Sequence, residues 1–152
     1  MSGRLGADLD RIRGLSFLSA GLAAHFLGIS SAEQASRDPL RGGLYENLLI
    51  VEMMKERLNR GLTPHMFFYR DTHGNEVDLV LRGRQKLFPV EIKSRATFTE
   101  EYLRGIESFR KTVGTRATAG VVLYNGEQKF EIRGTKVLNP FLHKGLSEVA
   151  LA

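Results

Sequence analysis

Four charged side chains stand among apolar neighbours in this sequence. Asp78 interrupts the run Val77–Leu81, and Glu91 and Lys93 lie two apart beside Pro89, Val90 and Ile92. Glu46 precedes Leu49, Ile50 and Met53 at helical spacing, which puts it on the apolar stripe of any helix those residues form. Charged side chains are seldom buried unless they are paired or hold a metal. Either these four face water, or they make a site. An E-x-K triplet alone is common on solvated strand edges, and Asp78 alone could cap a loop; the combination in this order is harder to reach by chance. Carboxylates without soft ligands suit Mg²⁺ or Mn²⁺, which keep waters and bind phosphate. Such an ion lowers the pKa of bound water and polarises a phosphodiester, while a nearby lysine orients or deprotonates the attacking water or stabilises the transition state. The chemistry on offer is phosphodiester hydrolysis.

The elements around them must bring these residues together. Residues 44–60 form the strongest helix, basic in its last turns and stopped by Gly61. Three strands follow, at 65–71, 76–82 and 86–94, separated by the turns 72–75 and 83–85. As an antiparallel meander they set Asp78 within reach of Glu91, with Lys93 on the same face. Thr97 and Glu100 form a capping box for a second helix, on which Tyr102, Ile106, Phe109 and Val113 make one apolar face. A strand over 118–126 ends in Asn125–Gly126, the preferred type I′ turn, and predicts a return strand over 128–134. A short helix or tail closes the chain. The strands on either side of the second helix can pair in parallel through a crossover. Upstream, residues 1–14 read as a lead-in, Leu15–Leu27 as a helix, and Ser30 with Glu33 as a capping box for a short helix that breaks at 37–43. The expected class is α/β: the main domain reads α-β-β-β-α-β-β, a mixed sheet flanked by helices around an α-β-β-β-α-β core. The expected organisation is an N-terminal helical segment over 1–41 and the main domain over 42–152.

The formal net charge is +5, which favours polyanionic partners, nucleic acid above all. Arg82, Arg84 and Lys86 crowd the second hairpin, and with Arg70 and Arg95 they are the candidate contacts to a phosphate backbone. For Arg70, pairing with a carboxylate is the favoured alternative. Phe67, Phe68 and Tyr69 could stack on bases, but three aromatics in one strand more often belong to the core. The chain has no cysteine, so disulfides and thiolate metal sites are excluded. Its four histidines are scattered without metal-ligand spacing, and no acid–histidine pair accompanies Ser94 to make it a nucleophile. No apolar run approaches the roughly 20 residues that span a bilayer, so a cytoplasmic protein is expected.

Helix Glu46, strand Asp78, then Glu91-x-Lys93 on the next strand resembles the pattern of the PD-(D/E)XK, or restriction-endonuclease-like, nucleases. Nearly the whole chain is also similar to the domain of unknown function at the C-terminus of many bacterial and archaeal AAA-type ATPases. The matching stretches are "GLAAHFLGI" (21–29), "GGLYENLLIVEMMK" (42–55), "FFYRDTHGNEVDLVL" (67–81), "FPVEIKSRATFTEEYLRGIESFRK" (88–111) and "GVVLY" (120–124). The resemblance implies a metal held by Asp78, Glu91 and the carbonyl of Ile92, with Lys93 as the catalytic lysine and Glu46 as an outer or second-metal ligand. It also implies an ATPase module upstream in full-length relatives. This chain has no G-x-x-x-x-G-K-S/T phosphate cradle, so ATP hydrolysis is not assigned to it. Where relatives often carry an acid before the Gly-Leu of the first helix, it has Ser19 and Ala20. Two other readings stand beside a nuclease: an accessory module that recruits nucleic acid or protein without cutting, and a structural domain that forms homo-oligomers.

Overall fold

A computed structural model describes residues 4–6, 30–143 and 145–150; the helix expected over 15–27 lies outside them. The described chain is α/β, a mixed seven-stranded sheet with helices on both faces. The strands are β1 (Arg4–Gly6), β2 (Met66–Arg70), β3 (Glu76–Arg82), β4 (Leu87–Lys93), β5 (Val121–Tyr124), β6 (Phe130–Ile132) and β7 (Thr135–Leu138). Across the sheet they run β1-β2-β3-β4-β5-β7-β6. The helices are α1 (Ala32–Arg37), α2 (Arg41–Asn59), α3 (Arg104–Val113) and α4 (Gly145–Ala150). From α2 to β5 the chain follows the expected α-β-β-β-α-β order.

Side-chain alternation sorts the core into two layers. On one face Leu49, Ile50 and Met53 of α2 pack on Leu79 and Leu81 of β3, Val90 and Ile92 of β4, and Val121 and Leu123 of β5. On the other face Ile106 and Phe109 of α3 cover Val122 and Tyr124 of β5, Val80 of β3 and Leu87 of β4. Glu91 and Lys93 share the parity of Leu87, so they project to the α3 side.

The meander is held by local chemistry. The Asp71 carboxylate accepts the backbone N–H groups of His73 and Asn75, at 2.8 and 2.9 Å, and closes the β2–β3 turn, where Gly74 sits at φ 82°. Ser108 of α3 donates to the same carboxylate at 2.8 Å, which ties the turn to the helix. β3 and β4 pair antiparallel from Leu79↔Val90 to Arg82↔Leu87. The chain then crosses over through α3, and β5 pairs parallel with β4, Glu91 beside Val122 and Lys93 beside Tyr124.

Several local expectations give way to tertiary context. Residues 4–6, within the expected partly ordered lead-in, form a strand paired antiparallel with β2, which no local pattern announced. The cap of α1 is Ser31, whose hydroxyl accepts from the Gln34 N–H at 3.1 Å; the Ser30 N–H is answered by the Gln34 side chain, one place on from the expected Ser30–Glu33 pair. The Thr97–Glu100 box does not form. The chain enters α3 through a 3₁₀ turn over Glu100–Leu103 with Thr99 at the cap, and Glu100 pairs with Arg133 instead. No hairpin turns at Asn125–Gly126. A Cβ on Gly126 would overlap the Tyr124 ring and the Ala96 carbonyl, so this glycine serves close packing. The tight turn comes later, at Arg133 (φ 50°) and Gly134 (φ 75°), between β6 and the unforeseen β7. β5 therefore pairs parallel with β7, not antiparallel with β6.

Candidate functional site

Asp78 is the third residue of β3, and continuing the β3–β4 register by one step sets it opposite Glu91. At that step the backbone ladder ends. The Asp78 carboxylate, not a main-chain carbonyl, accepts the Ile92 N–H, at 2.8 Å. A side chain replaces a ladder acceptor where the two strands part, and its carboxylate is thereby fixed.

Lys93 joins the two acids. Its Nζ lies 2.6 Å from Glu91 Oε1 and 3.3 Å from Asp78 Oδ2, so the two oxygens are no farther apart than the sum of those distances. It also stands over the Tyr102 ring, 5.9 Å from the centroid. The centre is largely dry, Glu91 being only 8% exposed. Its second oxygen, Oε2, is buried with no hydrogen-bond partner in the described structure. Burial pushes the Glu91 carboxyl up to about 8, the Asp78 charge adds to the push, and Lys93 opposes it. Burial alone would lower the Lys93 pKa, but Asp78 and Glu91 outweigh it and hold the ammonium above its usual value.

The roof over this centre is the start of α3. A Cβ on Gly105 would overlap the Glu76 carbonyl and come 3.5 Å from Glu91 Oε2. Glycine there lets the helix lie against the mouth of β3, although glycine within a helix costs about 1 kcal/mol relative to alanine. That conflict with propensity is the one sequence signal for Gly105; Tyr102 carries none beyond its place on the apolar stripe.

The other expected residues are distributed less compactly. Glu46 is half-buried on α2, which packs on the opposite face of the sheet, and it is not a free carboxylate. Among the described residues no three His, Asp or Glu side chains are grouped to hold one metal ion, so Glu46 is not gathered with Asp78 and Glu91. Ile92 lies in β4 between Glu91 and Lys93. Arg70 pairs with Glu76 at 3.1 Å, the structural alternative. Arg95 is exposed two residues beyond Lys93. Arg82, Arg84 and Lys86 cluster at the other end of the hairpin; Arg82 lies four residue steps along β3 from Asp78, roughly 13 Å. Lys86 there donates to the Thr115 carbonyl at 2.6 Å. Among the described residues no helix is long and apolar enough to cross a membrane.

No curated protein matches the chain. The sequence model of a domain of unknown function, DUF4143, matches residues 41–142, which hold α2, the meander, the crossover helix and every member of the acidic centre, and the chain belongs to that family.

Proposed function

We propose that Asp78, Glu91 and Lys93 are the centre of a divalent-metal-dependent nuclease domain of PD-(D/E)XK type, carried at the C-terminus of an AAA-type ATPase. The observation that carries the reading is the buried, unbonded Glu91 Oε2 next to a second carboxylate. An acceptor left without a donor in a dry site costs about 1–3 kcal/mol, and a hard cation is the ligand that two such carboxylates share. Asp78 and Glu91 would hold Mg²⁺ or Mn²⁺ together with the Ile92 carbonyl. A strand residue directs its N–H and C=O to the same side, and the Ile92 N–H is directed at Asp78. Mg²⁺ commonly uses one or two carboxylates and completes its shell with waters and substrate phosphate, so Glu46 is not required. When bound, the ion supplies polarisation of the phosphodiester and a more acidic water.

The chain's own residues do the rest. Lys93 keeps its proton in the metal-free protein, so it acts as a cation that orients water and meets negative charge on the phosphate, rather than as a base. Tyr102 and the two acids restrict where its ammonium can go. The Gly105 turn of α3 excludes water from the Glu91 side. Arg95, exposed just past the centre, is available to a nucleic-acid backbone. One observation favours the second reading, a module that binds without cutting: Lys93 already balances the carboxylates, and among the described residues no third acid is grouped with them.

Incubation with supercoiled plasmid and with single-stranded DNA and RNA, in Mg²⁺ or Mn²⁺, tests the proposal. Cleavage should fall by about 10²-fold or more in Asp78→Asn and in Lys93→Ala. Equal cleavage by all three proteins, or none by any, refutes it.

A further inference from the structure

The basic residues at the far end of the β3–β4 hairpin belong to a different structure from the acidic centre. The end of α2, the loop 61–65 and the hairpin turn enclose a groove of about 650 Å³. Its walls include Arg57, Thr63, His65, Arg82 and Arg84, and among the described residues they contain no carboxylate. Arg57 forms the floor. It is only 5% exposed, and its Nε and Nη2 both donate to the Thr63 carbonyl at 3.3 Å, which fixes the plane of the guanidinium. Burial lowers its pKa, but an arginine remains charged at neutral pH.

Arg82 and Arg84 line the same groove from the hairpin. Both are exposed, and neither has an ion-pair partner among the described residues. Their backbone is nevertheless fixed: the Arg82 N–H donates to the His65 carbonyl and the Gly83 N–H to the Lys86 carbonyl, each at 2.9 Å. His65 reaches that position in the left-handed region, at φ 43°, an uncommon conformation for a residue with a side chain. The end of α2 brings partial negative charge to the same place. Its carbonyls are turned to internal use, however: Arg57 O accepts from Arg60 and Leu62, and Leu58 O from Gly61.

We propose that this groove binds a phosphate group, with Arg82 and Arg84 closing on the anion as planar forks above the buried Arg57. Guanidinium forks match phosphate oxygens in bidentate geometry, so Arg82 and Arg84 can each grip the anion, while Arg57, held to Thr63, adds only its charge from the floor. Arg57 belongs to α2, which packs on the sheet face opposite Glu91 and Lys93, and the hairpin end lies roughly 13 Å along β3 from Asp78. The site therefore stands whether or not the acidic centre holds a metal.

Amide spectra of the full chain, titrated at constant ionic strength first with inorganic phosphate and then with a short oligothymidylate, test it. Saturable shifts are expected at His65, Gly83 and Arg84, weakened about tenfold or more in the exposed double variant Arg82→Ala/Arg84→Ala and unchanged in Asp78→Ala. Displacement of phosphate by the oligothymidylate identifies a nucleic-acid backbone as the source; saturation by phosphate without displacement identifies a free phosphate. No saturable shift with either probe, or equal affinity in a folded double variant, overturns the proposal.

Discussion

Replacing Glu91 by glutamine should leave the metal-free protein nearly unchanged at pH 5 and make it more stable at pH 9. The Glu91 carboxyl is lifted from 4.5 to about 8, chiefly by burial and then by the Asp78 charge. Between those values the folded protein holds a proton that the unfolded chain has lost, so stability falls as pH rises. At about 1.4 kcal/mol per pKa unit, the ionised carboxylate costs the fold about 5 kcal/mol by the time both states have lost the proton, less whatever relaxation and water entry recover. Glutamine keeps the shape of the neutral acid and removes the titration. Urea unfolding of both proteins at pH 5, 7 and 9, without divalent ions, gives the difference directly. Its growth by several kcal/mol from pH 5 to pH 9 is the expected result. A difference that stays flat across that range would mean that Glu91 does not ionise in a dry, like-charged setting, and the reasoning would fail.

Gly105→Ala should destabilise the protein by about 1–3 kcal/mol, read as a lower melting temperature, because the new methyl meets the Glu76 carbonyl, which is backbone and cannot rotate away. Asp71→Ala should flatten the loss of stability on acidification: hydrogen bonds from the Asn75 side chain and from Ser108 hold the Asp71 carboxyl down at about 2, so its contribution, present above 3.8, is lost as pH falls toward 2. An acid titration by circular dichroism checks this, and an unchanged midpoint in the variant counts against it. Lys93→Met should destabilise by about 3–5 kcal/mol at pH 9, where both acids then lack their cation, and by clearly less at pH 5, where Glu91 is protonated.

How much of this was legible in the sequence depends on how local the cause is. The meander is legible because strand periodicity and the Asp71–Asn75 and Gly83–Gln85 turns are local signals. The acidic pair is legible for a related reason: a charge inside an apolar run violates the pattern on its own strand, and antiparallel pairing leaves few places for it to go. The placement of Glu46 is not local. A helical stripe shows that the residue turns inward, not which face of the sheet receives the helix. Asn125–Gly126 carries a turn signature but serves the packing of Tyr124 and Ala96. The hairpin is instead made by Arg133, whose ion pairs to Glu100 and Glu107 anchor it to the 3₁₀ turn and to α3, and no local rule anticipates this. Gly105 and Arg57 likewise acquire their meaning from segments distant in sequence.

Calorimetric titration with Mn²⁺ at pH 8 asks most directly whether the two acids of β3 and β4 share a hard cation. One saturable site in the wild type, lost in both Asp78→Ala and Glu91→Gln while each variant remains folded, is the predicted result. Binding of equal strength in all three proteins, or no binding in the wild type, would contradict the account.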